Sequence, residues 1–139
     1  MSATETESTL RGYLDAQLSG GDFGSFFSDD ILWTTMETGD EIRGRDAVRD
    51  FIITLHARLF EAAPELRNMT VADGVAGLEA VFIGRHVAEF GGVPPTGAEV
   101  RMPYAVFYDI DGGTITALRA YFPMAALIGR LQEANAARV

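Results

Sequence analysis

Apolar positions recur at helical spacing in three stretches of this chain and alternate with polar ones over much of the rest. From Ser8, read as an N-cap, Leu10, Tyr13, Leu14 and Leu18 fall on one helical face, and Gly20-Gly21 stops the segment. Residues 1–7 ahead of it are expected to be a flexible, solvated lead-in. Phe23, Phe26 and Phe27 then cluster before Asp29-Asp30 and a strand-like run over 31–36. The break at 37–40 predicts a hairpin that returns through Glu41, Ile42 and Arg43. A second helix opens at Gly44, Arg45 and Asp46. Its apolar face is Val48, Phe51, Ile52, Leu55 and Leu59, and Pro64 marks its end. Strands are expected over 67–72, 78–90 and 99–109, with a turn at Asp111-Gly112-Gly113 leading into another over 114–122. Pro123 fits the first turn of a last helix whose inward residues are Met124, Leu127, Ile128 and Leu131.

Two early helices, a hairpin and a run of long strands predict an α+β fold. The helices lie on one face of a curved, mixed or antiparallel sheet and leave a conical internal pocket, a shape suited to small molecules. At 139 residues, the whole of 1–139 reads as one domain. A hydrophobic fraction of 47% argues against disorder, and no run approaches the ~18 apolar residues that span a bilayer. The polar, acidic start does not resemble a secretory signal, and the absence of cysteine rules out disulfides and thiolate metal sites. A cytoplasmic location is the expectation. A net charge of −9 disfavours nucleic acid and anionic membrane partners. All 11 basic residues are arginine, so chemistry through a lysine Schiff base is excluded. Asp29-Asp30 reads as a surface turn, and no metal site is expected there without further clustered ligands.

One segment carries more information than the rest: His86-Val87-Ala88-Glu89-Phe90, followed by Gly92-Val93-Pro94-Pro95-Thr96-Gly97. With the later Asp111-Gly112 turn and Arg119-Ala120-Tyr121, it resembles the SnoaL-like polyketide cyclase group of the nuclear-transport-factor-2-like superfamily, a cystatin-like α+β barrel. The likeness runs from Leu10 to Gln132. It implies cofactor-free chemistry on small, apolar, carbonyl-containing compounds, such as ring closure by intramolecular aldol condensation. It also implies a homodimer formed through the outer face of the sheet. In that group an aspartate moves the proton with help from a histidine. The matching strand here reads Met102-Pro103-Tyr104-Ala105, without a carboxylate. The Asp-Arg-Asp set of the related epoxide hydrolases falls at Ala88, His86 and Ala120. The aspartate of ketosteroid isomerases falls at Thr35.

His86 and Tyr104 are therefore the catalytic candidates. His86 has an ordinary pKa near ~6.5, suited to proton transfer, and strand alternation groups it with Phe82, Gly84 and Ala88 on a face expected to meet the cavity. Tyr104 can polarise a carbonyl but is a poor base at an ordinary pKa near ~10. For each, the plain alternative is a residue that packs and finds a local hydrogen-bond partner. Tyr13, Trp33, Thr35, Phe82, Met102 and Leu118 are the candidate substrate-binding residues. His56, bordering the apolar face of the second helix, is read as structural or as part of a rim. Arg119 is expected to pair with a carboxylate, and Glu89 to be solvated or paired with an arginine. The missing acid keeps a second reading in play: a non-catalytic protein that binds a small apolar ligand in the same pocket. A pure interaction module would require the cone to be filled by side chains.

Overall fold

The computed structural model describes residues 2–137. Helix α1 spans Ala3–Leu18 and begins earlier than the apolar pattern alone indicates. Ser2 is its N-cap, and its hydroxyl accepts the Glu5 N–H. The expected lead-in is thus helical from Ala3, while Met1 lies outside the described residues. Thr6 is fully buried, and its hydroxyl accepts the Gly74 N–H at 3.0 Å, which ties this first turn to the sheet. After the Gly20-Gly21 stop, a 3-10 turn at Phe23–Phe26 leads into β1 (Phe27–Thr35), and β2 (Asp40–Arg43) returns beside it.

Helix α2 covers Arg45–Ile53 and runs directly into a π-helical turn at Thr54–Leu59. Strand β3 (Phe60–Ala72) follows at once, so Pro64 stands inside a strand and does not end a helix. The sheet order β2-β1-β6-β5-β4-β3 explains how this is tolerated: β3 is an edge strand, where a missing N–H need not break a ladder. Strands β4 (Val75–His86), β5 (Glu99–Asp111) and β6 (Thr114–Tyr121) pair antiparallel in sequence. The β1–β6 pair is parallel, so the curved, unclosed sheet is mixed. Helix α3 spans Met124–Ala136 and buries Leu127 and Leu131 completely.

Two apolar clusters pack on the concave side. One joins α1 and α2 to the sheet through Leu10, Tyr13, Ile31, Val48 and Ile52. The other gathers Phe60, Phe82, Met102, Phe122, Leu127 and Leu131 under α3. Tyr104 packs against both, which puts it at the seam. On the other face, Arg119 holds Asp109 across β5 and β6 with two hydrogen bonds, at 2.9 and 3.1 Å, the carboxylate partner expected for it. No helix among the described residues is long and apolar enough to cross a membrane.

Candidate functional site

Strand alternation on β5 sends Tyr104, Val106 and Tyr108 into the concave side, opposite Ala80, Leu78 and Ala76 of β4. Above them pass Tyr13 and Leu14 from α1 and Ile52 from α2, while Trp33 of β1 and Leu118 of β6 close one side. The space left is a cavity of about 130 Å³, walled mainly by apolar atoms. A second cavity of about 40 Å³ lies against it, bounded by Thr35, Phe51, Leu55, Phe82, Ala120, Phe122 and Met124. Trp33, His56, Tyr104 and Val106 border both. A hollow of about 400 Å³ between the end of α1, the π-helical turn and β3 shares Gln17, Leu18, Ile52, His56 and Pro64 with the larger cavity. Among the described residues, His56 alone borders all three spaces.

The cone is therefore not filled. Tyr13, Trp33, Tyr104 and Leu118 line the larger cavity, and Trp33, Thr35, Phe82 and Tyr104 the smaller. Met102 lines neither and is buried in the cluster under α3. His86, expected on the cavity face, lines neither as well. The register explains the distance. Tyr104 pairs with Ala80, six residues before His86 on β4, or roughly 20 Å at about 3.3 Å per residue. Strand β4 also ends at His86, so Ala88 does not continue the alternation from which that face was inferred.

What His86 does is local. The Thr96 N–H donates to its Nδ1 at 3.2 Å, and the Thr96 hydroxyl lies 3.0 Å from the same nitrogen. That hydroxyl accepts the Ala98 N–H, so its own proton is free to point at Nδ1. Nδ1 is then an acceptor, and Nε2, fully buried, carries the ring proton. The backbone of His86 adds two bonds, its N–H to the Ala98 carbonyl and its carbonyl from the Gly97 N–H. Burial lowers its pKa from the usual 6.5, against the opposing pull of Ala88 and Glu89. Glu89 is exposed and caps the turn beside it by accepting the Gly92 N–H at 3.0 Å, with no arginine involved. The His-x-x-Glu-Phe and Pro-Pro-Thr-Gly motifs thus lock each other into one loop.

His56 has the arrangement that His86 lacks. It sits in the π-helical turn, a feature often found at functional sites. Its Nδ1 lies 2.9 Å from the Ile52 carbonyl. A carbonyl can only accept, so Nδ1 bears the proton and Nε2 keeps its lone pair. Its ring packs edge-on to Phe82 at 5.5 Å, and burial lowers its pKa below 6.5, with the Ile52 bond opposing. Across the cavity, burial raises the Tyr104 phenol above its ordinary range, so it remains a donor. Tyr13 and Tyr108 are shifted the same way. Asp15, exposed on α1, is the one carboxylate on these walls among the described residues. Asp29, on β1, pairs instead with Arg45 at 2.8 Å. Sequence reasoning passed over Tyr108 and read His56 as structural or as part of a rim. The inward alternation of 104, 106 and 108 was the available signal for the tyrosine.

Comparison with known proteins agrees with this fold. A SnoaL-like polyketide cyclase family profile matches residues 11–130. No curated protein matches. Among solved structures, a provisionally assigned polyketide cyclase from Xanthomonas campestris pv. campestris superposes with a TM-score of 0.82 at 19% identity, covering 93% of this chain and 98% of that one. A provisionally assigned SnoaL-like polyketide cyclase from Jannaschia sp. CCS1 gives 0.80 at 18%, covering 91% and 90%. AclR, a provisionally assigned hydroxylase from Streptomyces galilaeus, gives 0.78 at 18%, covering 94% and 98%. These identities speak for the fold alone. Because the family profile spans most of its length, the chain belongs to the SnoaL-like polyketide cyclases.

Proposed function

We propose that this protein is a cofactor-independent acid/base enzyme acting on a small apolar carbonyl compound, polyketide-like or similar, by aldol-type cyclisation or isomerisation. The observation that carries this reading is that His56, with an unprotonated Nε2, and Tyr104, a protonated phenol, share the wall between two apolar cavities. In the first step Nε2 takes a proton from the carbon beside the carbonyl. The Tyr104 hydroxyl donates to the oxygen as enolate charge develops there. The enolate carbon then attacks a second carbonyl of the same molecule, whose oxygen takes the proton from Nε2 as the new carbon–carbon bond forms; in an isomerisation a more distant carbon of the conjugated enolate takes that proton instead. Either path returns His56 to its neutral form. The proton-transfer role first expected of His86 passes to His56 in this scheme, and His86 holds the 87–98 loop. The sheet's outer face, with Phe107 and Tyr121 exposed on it, is the proposed homodimer surface.

The test needs no knowledge of the natural substrate. Ketones of one to three rings are incubated with the protein in D2O, and exchange of the protons beside the carbonyl is followed by NMR. The protein should accelerate exchange of at least one ketone, and His56→Gln should reduce that by about 10²–10⁴-fold, the range for a positioned general base. Tyr104→Phe should reduce it less. The His56 profile should rise through a pKa below 6.5 and be flat at neutral pH. The second reading, a binding protein, draws on the absence of a carboxylate from the cavity interior among the described residues. It would be supported by ketones that bind without any accelerated exchange.

A further inference from the structure

The two cavities differ in both size and chemistry. The larger, at about 130 Å³, is close to the roughly 150 Å³ of a cavity known to hold a benzene ring. Three phenols face it, from Tyr13, Tyr104 and Tyr108, and the Tyr13 and Tyr108 rings lie 5.9 Å apart. Among the described residues, side-chain hydrogen bonds use none of these hydroxyls, which leaves them available to a ligand. Among the described residues no cation stands inside: Arg11 on the wall is exposed and already paired with Glu7 at 2.7 Å. The smaller cavity, about 40 Å³, is almost wholly apolar. Apart from Tyr104, which it shares with the larger cavity, its one hydroxyl residue is Thr35, whose oxygen accepts the Trp33 indole N–H at 3.0 Å.

From this division we infer that the ligand is a neutral compound of single-ring size with at least one oxygen acceptor and a short apolar side chain. The ring and its oxygen occupy the phenol-lined chamber. The side chain passes the waist at Trp33, His56 and Tyr104 and ends against Leu55, Ala120 and Phe122. Three fused rings exceed the larger space, and an anionic ligand would be stripped of water with no cation to replace it. The inference rests on the reading of these cavities as the reaction site and narrows the substrate class for it.

Trp33 is the single tryptophan and borders both cavities, so its fluorescence reports their occupancy directly. Titrations with cyclohex-2-enone, 3-propylcyclohex-2-enone, propylcyclohexene and the three-ring ketone anthrone test the division. The propyl enone should bind about tenfold more tightly than its parent, a factor in keeping with about two buried methylenes. It should also bind about fivefold more tightly than propylcyclohexene, and anthrone should not bind. Ala120→Val, which fills the small chamber, should erase the propyl advantage and leave the parent enone unchanged. Ala120→Gly enlarges the chamber without crowding β6 and should shift the preference toward a butyl chain. Tyr108→Phe should weaken the enones severalfold and leave propylcyclohexene unchanged. Equal affinity for parent and propyl enone, tight binding of anthrone, or no binding by any single-ring probe would overturn the inference. Binding in the expected pattern with no proton exchange would reject the catalytic proposal alone. Accelerated exchange confined to three-ring ketones would reject the ligand inference alone.

Discussion

The chain's two histidines share a residue type and a direction of pKa shift, and only the second atom of each ring tells them apart. At His86 the acceptor nitrogen is taken by Thr96; at His56 the donor nitrogen is taken by Ile52, which leaves the basic one free. The sequence shows a histidine in a motif but not which ring nitrogen the motif uses, and the partner of His86 is ten residues away in the same motif. That is why the motif identified the family while drawing attention to a histidine that lines neither cavity. The acid response follows from the same assignments. Burial holds both histidines below the usual 6.5, so below that pH the unfolded chain takes up protons that the folded chain refuses. Their contribution to stability is intact above about pH 6.5 and is lost as pH falls through 6.5 toward the lowered folded values. Thermal unfolding between pH 7 and 5 should show this decline. His86→Asn keeps an acceptor near the Nδ1 position but cannot be protonated, so it should flatten the decline by up to one proton's worth. A slope unchanged by that substitution would reject the neutral, buried imidazole.

At the level of elements, apolar periodicity located each α-helix and each strand, because burial on one face is what both patterns record. Bounds were less legible: β3 begins at Phe60, ahead of the expected 67, and α1 at Ala3. Two features in particular escaped the pattern. The π-helical turn at Thr54–Leu59 changes the backbone register after α2, so a regular 3.6-residue count places His56 on the border of the apolar face and not at the junction of the cavities. Pro64 reads as a helix stop in sequence, and only the strand order reveals an edge where proline is acceptable. The turn at Gly91-Gly92 has a tertiary reason that sequence alone does not carry. Gly91 has φ +58°, and a Cβ there would stand 2.7 Å from Cγ1 of Ile128 on α3. Gly91→Ala should therefore cost about 1–2 kcal/mol in chemical denaturation, from left-handed strain together with the collision. In an Ile128→Ala background the collision is relieved and only the strain, about 1 kcal/mol, should remain. An equal cost in both backgrounds would show that α3 does not rest on this turn.

For the whole molecule, the concave and convex faces of the sheet have different unfinished business. The concave side is closed by α1, α2 and α3 and keeps only the cavities open to a ligand. The convex side has no helix over Phe107 and Tyr121, which are 43% and 47% exposed and pack edge to face at 5.9 Å. Gly77 on β4 lies under the Phe107 ring, where a Cβ would come within 2.6 Å, so the aromatic pair is seated flat on the strands and does not project freely. Rigid, half-exposed aromatics on a sheet face lose little entropy on being covered, which suits a self-complementary two-fold interface better than permanent hydration. Arg119 and Asp109 flank the pair and already satisfy one another, so covering them need not strand a charge. The proposed homodimer should therefore dissociate when this patch is made acidic. Phe107→Glu combined with Tyr121→Glu adds two negative charges to each protomer at positions that face solvent in the isolated chain. The variant should sediment as a folded monomer, with its circular dichroism and Trp33 fluorescence response to ligand preserved. Wild-type protein that is monomeric at tens of micromolar, or a dimer indifferent to both glutamates, would place the interface elsewhere or remove it.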